Sequence, residues 1–257
     1  MQPTFLPWLG YFDLIDQSNV FIFLDTAQFE KQSWQQRNRI PVLGELAWLT
    51  VPVLINGRSQ QKILEAEIHR SSYFPRKRIS MIEETYRRAP YFGQYFPALR
   101  ALLEDPCPSL SALNQRLIAW LAEMLGLRPT FRVASELKAT GKRTETIRNL
   151  CLEVGATTYL SPLGSSGYLL PERDTLLQAG LEIVFQNYEH PTYRQRAEKF
   201  CAHASIIDLL FNEGELSLDV VRKGRRNWFS LSQVLTMTSA EKQEITSAEK
   251  QEKTYES

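Results

Sequence analysis

Histidine at position 190 is the one of three that sits in a compact polar motif, His190-Pro191-Thr192-Tyr193-Arg194-Gln195. An imidazole there could pass a proton as acid or base near neutral pH, with Tyr193 and Gln195 orienting a ligand. The second candidate for proton transfer is Asp25, which ends the apolar run Val20-Phe21-Ile22-Phe23-Leu24 and is followed by Gln28. Arg37 and Asn38 could clamp a phosphate or carboxylate, the guanidinium offering a two-pronged fork; a hairpin ion pair accounts for them as well. Ser135 with Glu136, Ser161 with Gly164, and Gln186 each follow a β-prone run. A cap or loop hydrogen bond explains any one of these. Their common position after strands points to a ligand, because open α/β sheets bind at the carboxyl ends of their strands. Trp8, Tyr11, Trp34, Trp48, Tyr91 and Tyr168 offer flat faces for a base or sugar, and half of them are expected in the core. His69 and His203 stand outside any motif, and Asp208 and Asn212, four apart on one helix face, are expected to hold a loop such as the Gln195 turn or else to reach the site.

The elements that must position these groups begin with Gln2-Pro3-Thr4-Phe5-Leu6-Pro7-Trp8-Leu9-Gly10-Tyr11-Phe12, a loop stiffened by two prolines and opened by Gly10 for close backbone approach. An amphipathic turn and the strand at 20–24 follow. Runs at Arg39–Val42 and Ala47–Val53 around Gly44 predict a hairpin, and Pro41 and Pro52 put it at a sheet edge or outside the main sheet. Residues 73–126 read as an inserted helical region, with Ile79, Ile82 and Tyr86 on one face and Ser109 capping a helix from Leu110 that stops at Gly126. Strands at 130–135, 157–161 and 181–185 then alternate with helices. The expected fold is therefore α/β, a Rossmann-like parallel sheet with an edge hairpin and the helical insertion. The expected organisation is one domain over residues 1–223 and a polar, solvated tail over 224–257, in which Thr238-Ser239-Ala240-Glu241-Lys242-Gln243-Glu244 recurs at 246–252.

A 257-residue chain with 43% hydrophobic residues and a net charge of +1 suits a packed globule and gives no electrostatic reason to expect nucleic acid. Three dispersed cysteines, Cys107, Cys151 and Cys201, form neither a disulfide framework nor a zinc signature. The absence of an 18-residue apolar run and of a basic-then-apolar leader predicts no membrane span and a cytoplasmic protein. No P-loop, GxGxxG, DxD pair or serine elbow identifies a cofactor. Gly164-Ser165-Ser166-Gly167 could meet a phosphate through backbone N–H groups.

The chain resembles the WbqC-like proteins of bacteria. The resemblance rests on Gln2-Pro3-x-Phe5-x-Pro7-Trp8-x-Gly10-Tyr11-Phe12, Asp25-x-x-Gln28-Phe29, Arg37-Asn38, Trp48-Leu49-Thr50-Val51-Pro52-Val53 and Ala89-Pro90-Tyr91-Phe92. It continues through Gly155-Ala156-x-x-Tyr159-Leu160-Ser161, the His190 motif and Ser205-Ile206-x-Asp208-Leu209-Leu210-Phe211-Asn212-x-Gly214. Three departures stand out: Met1 directly precedes Gln2 where members carry an apolar run, Arg143-Thr144-Glu145-Thr146 replaces a Lys-Thr-Glu-Arg-like turn, and Pro162 replaces a glycine. The entry loop is also similar to that of nucleotidyltransferases, yet Trp8-Leu9-Gly10-Tyr11 lacks the histidines that stabilise phosphate charge there.

The family resemblance implies a setting in surface-polysaccharide synthesis. The expected function is a transferase acting on a nucleotide-linked sugar, with acyl or aminoacyl transfer as its reaction; the alternative is a non-catalytic nucleotide- or sugar-binding protein. Its partner would be a small-molecule ligand of that class, the oligomeric state being open. One cleft is expected between the 2–12 loop and the strand ends bearing Asp25, Ser161 and His190, with Gln2, Trp8, Gly10, Tyr11, Gln28, Arg37, Asn38, Ser135, Gly164, Tyr193 and Gln195 around the ligand.

Overall fold

In the computed structural model, which describes residues 1–58, 60–70, 73–196 and 199–242, helix α1 (Leu9–Asp16) leads into strand β1 (Val20–Phe23). Strands β2 (Arg37–Val42) and β3 (Glu45–Thr50) follow, then helices α2 (Arg76–Tyr86), α3 (Phe92–Glu104) and α4 (Leu110–Met124). The middle of the chain carries β4 (Thr130–Val133), α5 (Thr144–Glu153), β5 (Thr158–Ser161), α6 (Ser166–Leu169), α7 (Asp174–Leu177) and β6 (Glu182–Phe185). Helices α8 (Ile206–Glu213) and α9 (Ser217–Lys223), strand β7 (Phe229–Ser230) and helix α10 (Leu231–Thr236) complete it. These elements make a mixed α/β protein.

The chain divides into two compact units, one of residues 1–135 and 190–223, the other of residues 136–189 and 224–257. In the first, β1 and β4 pair in parallel from Val20↔Thr130 to Phe23↔Val133. Phe23 and Phe131 stack with ring centroids 5.0 Å apart, so the aromatic run that predicted a buried strand supplies the pair's packing. The hairpin β2–β3 is antiparallel and forms its own two-stranded sheet, as Pro41 within it requires, since a proline cannot donate to a further strand. Leu43 and Gly44 turn it with φ of 52° and 85°, the positive-φ pair of a tight hairpin. The helical insertion is present: Ile79, Ile82 and Tyr86 are buried on α2, and Leu113, Leu117 and Leu121 on α4. Ser109 caps α4 by accepting the Ala112 N–H at 3.2 Å, and Gly126, at φ +77°, ends it.

In the second unit, β5 and β6 pair in parallel and β7 adds antiparallel to β6. Leu163, Leu169, Leu176, Ile183, Phe185 and Val234 are among its buried core. Cys151 belongs to that core, and burial pushes its thiol up to about 11, which makes it packing rather than nucleophile. The Gly164–Gly167 stretch is not an open phosphate loop: it is wound into a 3₁₀ turn at Leu163–Ser165 and the start of α6.

Two expectations are corrected. The four apolar runs at 20–24, 130–135, 157–161 and 181–185 do form parallel strands, but in two separate sheets, β1–β4 and β5–β6–β7, rather than one. Each is four residues long, and its sequence specifies burial without specifying which distant strand it meets. The region after 223 is not a solvated tail throughout. Phe229 lies in β7, and Val234, on α10, is fully buried in the second unit's core, with Phe229, Leu231 and Met237 packed against it. The second copy of the duplicated segment lies outside the described residues.

Candidate functional site

The 2–12 loop is built from the inside by hydrogen bonds that use up several of its polar groups. Leu6 has φ +44°, and its carbonyl accepts from Asn38 Nδ2 at 2.8 Å and Ser205 Oγ at 2.7 Å. The Phe5 N–H donates to the Trp34 carbonyl at 2.9 Å. Asn114 Nδ2 donates to the carbonyls of Pro3 and Gln35, at 3.0 and 2.7 Å. Gln2 accepts the Tyr11 hydroxyl on its backbone carbonyl at 3.0 Å and the Gln35 amide on its side chain at 2.9 Å. Asn38 is thus a strut of the loop rather than half of an anion clamp. Tyr11, at 3% exposure, packs on Phe12 and Phe21, and burial pushes its phenol well above the usual tyrosine range. It is a core residue, where the sequence reading set it beside the ligand.

This scaffold presents a cluster of cations and flat rings. Arg37 and Arg39 are two apart on β2 and so share a face. The Arg37 Cζ lies 4.0 Å from the Trp48 ring centroid, and the Arg39 Cζ lies 5.2 Å from Trp34 and 5.3 Å from Trp48. The two indoles are 5.5 Å apart. The Trp8 ring stacks on His190 at 6.1 Å and meets His203 edge-on at 5.7 Å. Gly10 permits this, because a Cβ there would stand 2.4 Å from the Trp8 ring. His190 and His203 are T-shaped at 4.6 Å, and the His203 backbone N–H donates to His190 Nε2 at 3.0 Å. Burial first, and the His203 ring second, lower His190 to about 4. Burial first, and the Arg39 charge second, lower His203 to about 4. Both rings are therefore neutral at pH 7.

Behind the histidines, Asp208 organises the segment that carries them. It is 2% exposed. Its carboxylate accepts from the hydroxyls of Tyr86 and Tyr193, at 2.9 and 2.7 Å, and from Gln195 Nε2 at 2.8 Å. Asn212 Nδ2 donates to the Asp208 backbone carbonyl at 2.7 Å, so the expected loop-holding contact is made by Asp208, through Tyr193 and Gln195, while Asn212 bonds within α8. The Gln195 side chain also pairs with both backbone groups of Cys201. Burial, the largest effect, raises the Asp208 carboxyl above its ordinary range, against the lowering effect of its hydrogen bonds.

Among the remaining candidates, Asp25 accepts both the N–H and the hydroxyl of Ser135, at 3.0 and 2.6 Å. The two residues tie the ends of β1 and β4 together. Gln28 is exposed, and its backbone carbonyl accepts from Gln35 Nε2 at 3.2 Å. Ser161 and Gly164 belong to the second unit, where Ser161 is buried and Gly164 exposed. The structure therefore brings Trp8, Gly10, Arg37, His190, Tyr193 and Gln195 into one neighbourhood of the first unit. Trp34, Trp48, Arg39 and His203 join them. Arg39 was readable: the two-residue turn at 43–44 pairs Arg39 with Trp48, and Arg37-x-Arg39 puts both cations on that face. Nothing local in the sequence marks His203. Among the described residues no group of three or more His, Cys, Asp or Glu is placed to hold a metal ion, and no helix is long and apolar enough to cross a membrane.

No solved structure matches the chain. A curated relative, the uncharacterized protein Rv1507c of Mycobacterium tuberculosis (strain ATCC 25618 / H37Rv), is 32% identical over 228 residues, covering 88% of this chain and 97% of that protein. The model of one family matches residues 2–220, a span that takes in the whole Arg–Trp–His cluster, and the chain accordingly belongs to the WbqC-like protein family.

Proposed function

We propose that the protein binds a nucleotide-linked sugar at the Arg37–Arg39–Trp34–Trp48 cluster and acts as a transferase on it in surface-polysaccharide synthesis. The observation that carries this reading is the pairing of two guanidiniums on β2 with two indoles, Trp48 on β3 and Trp34 ahead of β2. Guanidiniums suit a phosphate's oxygens, and indole faces suit a base or the apolar face of a pyranose. The polysaccharide setting comes from the family resemblance. Arg39, 8% exposed, lies deeper than Arg37 and is assigned the phosphate. A thermal-shift screen with UDP-, GDP- and dTDP-sugars should give stabilisation by at least one of them. Arg39→Met, which keeps the apolar stem, should weaken that ligand at least tenfold, about 1.4 kcal/mol. Equal binding by the variant, or no response to any nucleotide sugar, rejects the site.

One observation favours the alternative of binding without catalysis. The two groups expected to move protons are both occupied within the protein: Asp25 by Ser135 and His190 Nε2 by a backbone N–H. Incubating the bound nucleotide sugar with acyl donors and following modified sugar by mass spectrometry separates the two readings.

A further inference from the structure

The two imidazoles of the cluster differ in how firmly their protonation is fixed. His190 Nε2 accepts the His203 N–H, and a proton on that nitrogen would set donor against donor, so the ring is held neutral. No such bond fixes His203. Its Nδ1 is buried and has no hydrogen-bond partner, and its backbone is left-handed at φ +61°. The groups acting on it are the Arg39 guanidinium from β2, the uncharged Trp8 ring ahead of α1, and His190 from its own segment. In the free protein, burial and then the Arg39 charge disfavour the imidazolium.

We propose that His203 is a proton-accepting residue of this site: an anionic ligand bound at Arg39 draws a proton onto its imidazole. The inference rests on the nucleotide-sugar reading above. A phosphate seated on the guanidinium cancels the charge that repels the proton and adds an attraction of its own. At a separation of about 5 Å and an effective dielectric near 20 this is strong enough to bring the imidazole toward neutrality. The pyrophosphate of a nucleotide sugar keeps the same charge between pH 5.5 and 8, so the proton taken up must come to rest on the protein.

The test is calorimetric titration of the full chain with UDP-glucose, GDP-mannose and dTDP-glucose at pH 6, each in two buffers of different ionisation heat. For a ligand that binds, uptake of about half a proton at pH 6, falling toward zero at pH 8, is expected, with affinity roughly tenfold tighter at pH 5.5 than at pH 8. His203→Asn, which keeps a residue tolerant of positive φ, should bind at pH 8 and lose both the uptake and the pH dependence. Binding by the wild-type protein with no buffer dependence overturns the inference and leaves the ligand reading standing. Failure of all three probes to bind at either pH overturns both.

Discussion

Asp208 is a carboxylate surrounded by donors: two tyrosine hydroxyls and the Gln195 amide converge on it, and its burial is nearly complete. Asp208→Asn keeps the shape but turns one acceptor oxygen into an NH₂ that must face those donors. It should cost about 2–4 kcal/mol in chemical denaturation; a loss below about 0.5 kcal/mol would show that the network rearranges freely. Because the network reaches Tyr193 and Gln195, the same variant should loosen the segment bearing His190 and His203. Gly10 makes the complementary case, where the constraint is space. A methyl at that position would overlap Trp8, so Gly10→Ala should cost roughly 1–3 kcal/mol and, by displacing the indole from His190, alter tryptophan fluorescence. An unchanged emission spectrum would mean the backbone, and not the ring, had moved.

At the level of elements, the helices were readable because their apolar residues recur at helical spacing and their ends carry Ser109 and Gly126. The hairpin was readable because Gly44 and Pro41 restrict the backbone directly. The sheets were not. Parallel pairing joins Val20 to Thr130 and Thr158 to Glu182, and four apolar residues in a row carry no mark of their partner. The candidate site shows the same division. Trp8, Gly10, Arg37 and His190 could be picked out by type and motif, whereas His203 enters only because Asp208, Gln195 and Cys201 fold its segment back. Asp25 and Ser135 looked like chemistry for the same reason that they make a good tie: both follow strands that end side by side. The segment after Gly224 was misjudged on composition, since Phe229 and Val234 are sparse among polar residues. Truncation after Arg226 should now lower the melting temperature by several degrees, and Val234→Ala alone should cost roughly 2 kcal/mol. Melting curves that overlay the full-length protein would place α10 outside the cooperative fold.

For the molecule as a whole, the ionisable groups predict which way stability bends with pH. His190 and His203 are both lowered to about 4 from an ordinary value of 6.5. A lowered folded-state value means the unfolded chain takes up protons first. The stability these rings contribute is complete above pH 6.5 and drains away as pH falls toward 4. Asp208 acts in the opposite sense: its raised carboxyl favours the folded state below the ordinary carboxylate range, and that contribution is lost as pH rises through the folded-state value. Asp105, lowered chiefly by its Arg116 hydrogen bond, contributes only above the carboxylate range and begins to fail near its lower edge. Through the two imidazoles the protein should lose stability between pH 7 and pH 4.5, with Asp208 acting against that loss. Urea denaturation followed by tryptophan fluorescence at the two values measures this directly. His203→Asn, having one fewer buried ring to protonate, should show a shallower fall than the wild type. Coincident midpoints at pH 7 and 4.5 would mean that both rings take up protons within the folded protein as readily as in water, which would remove the basis for holding either of them neutral.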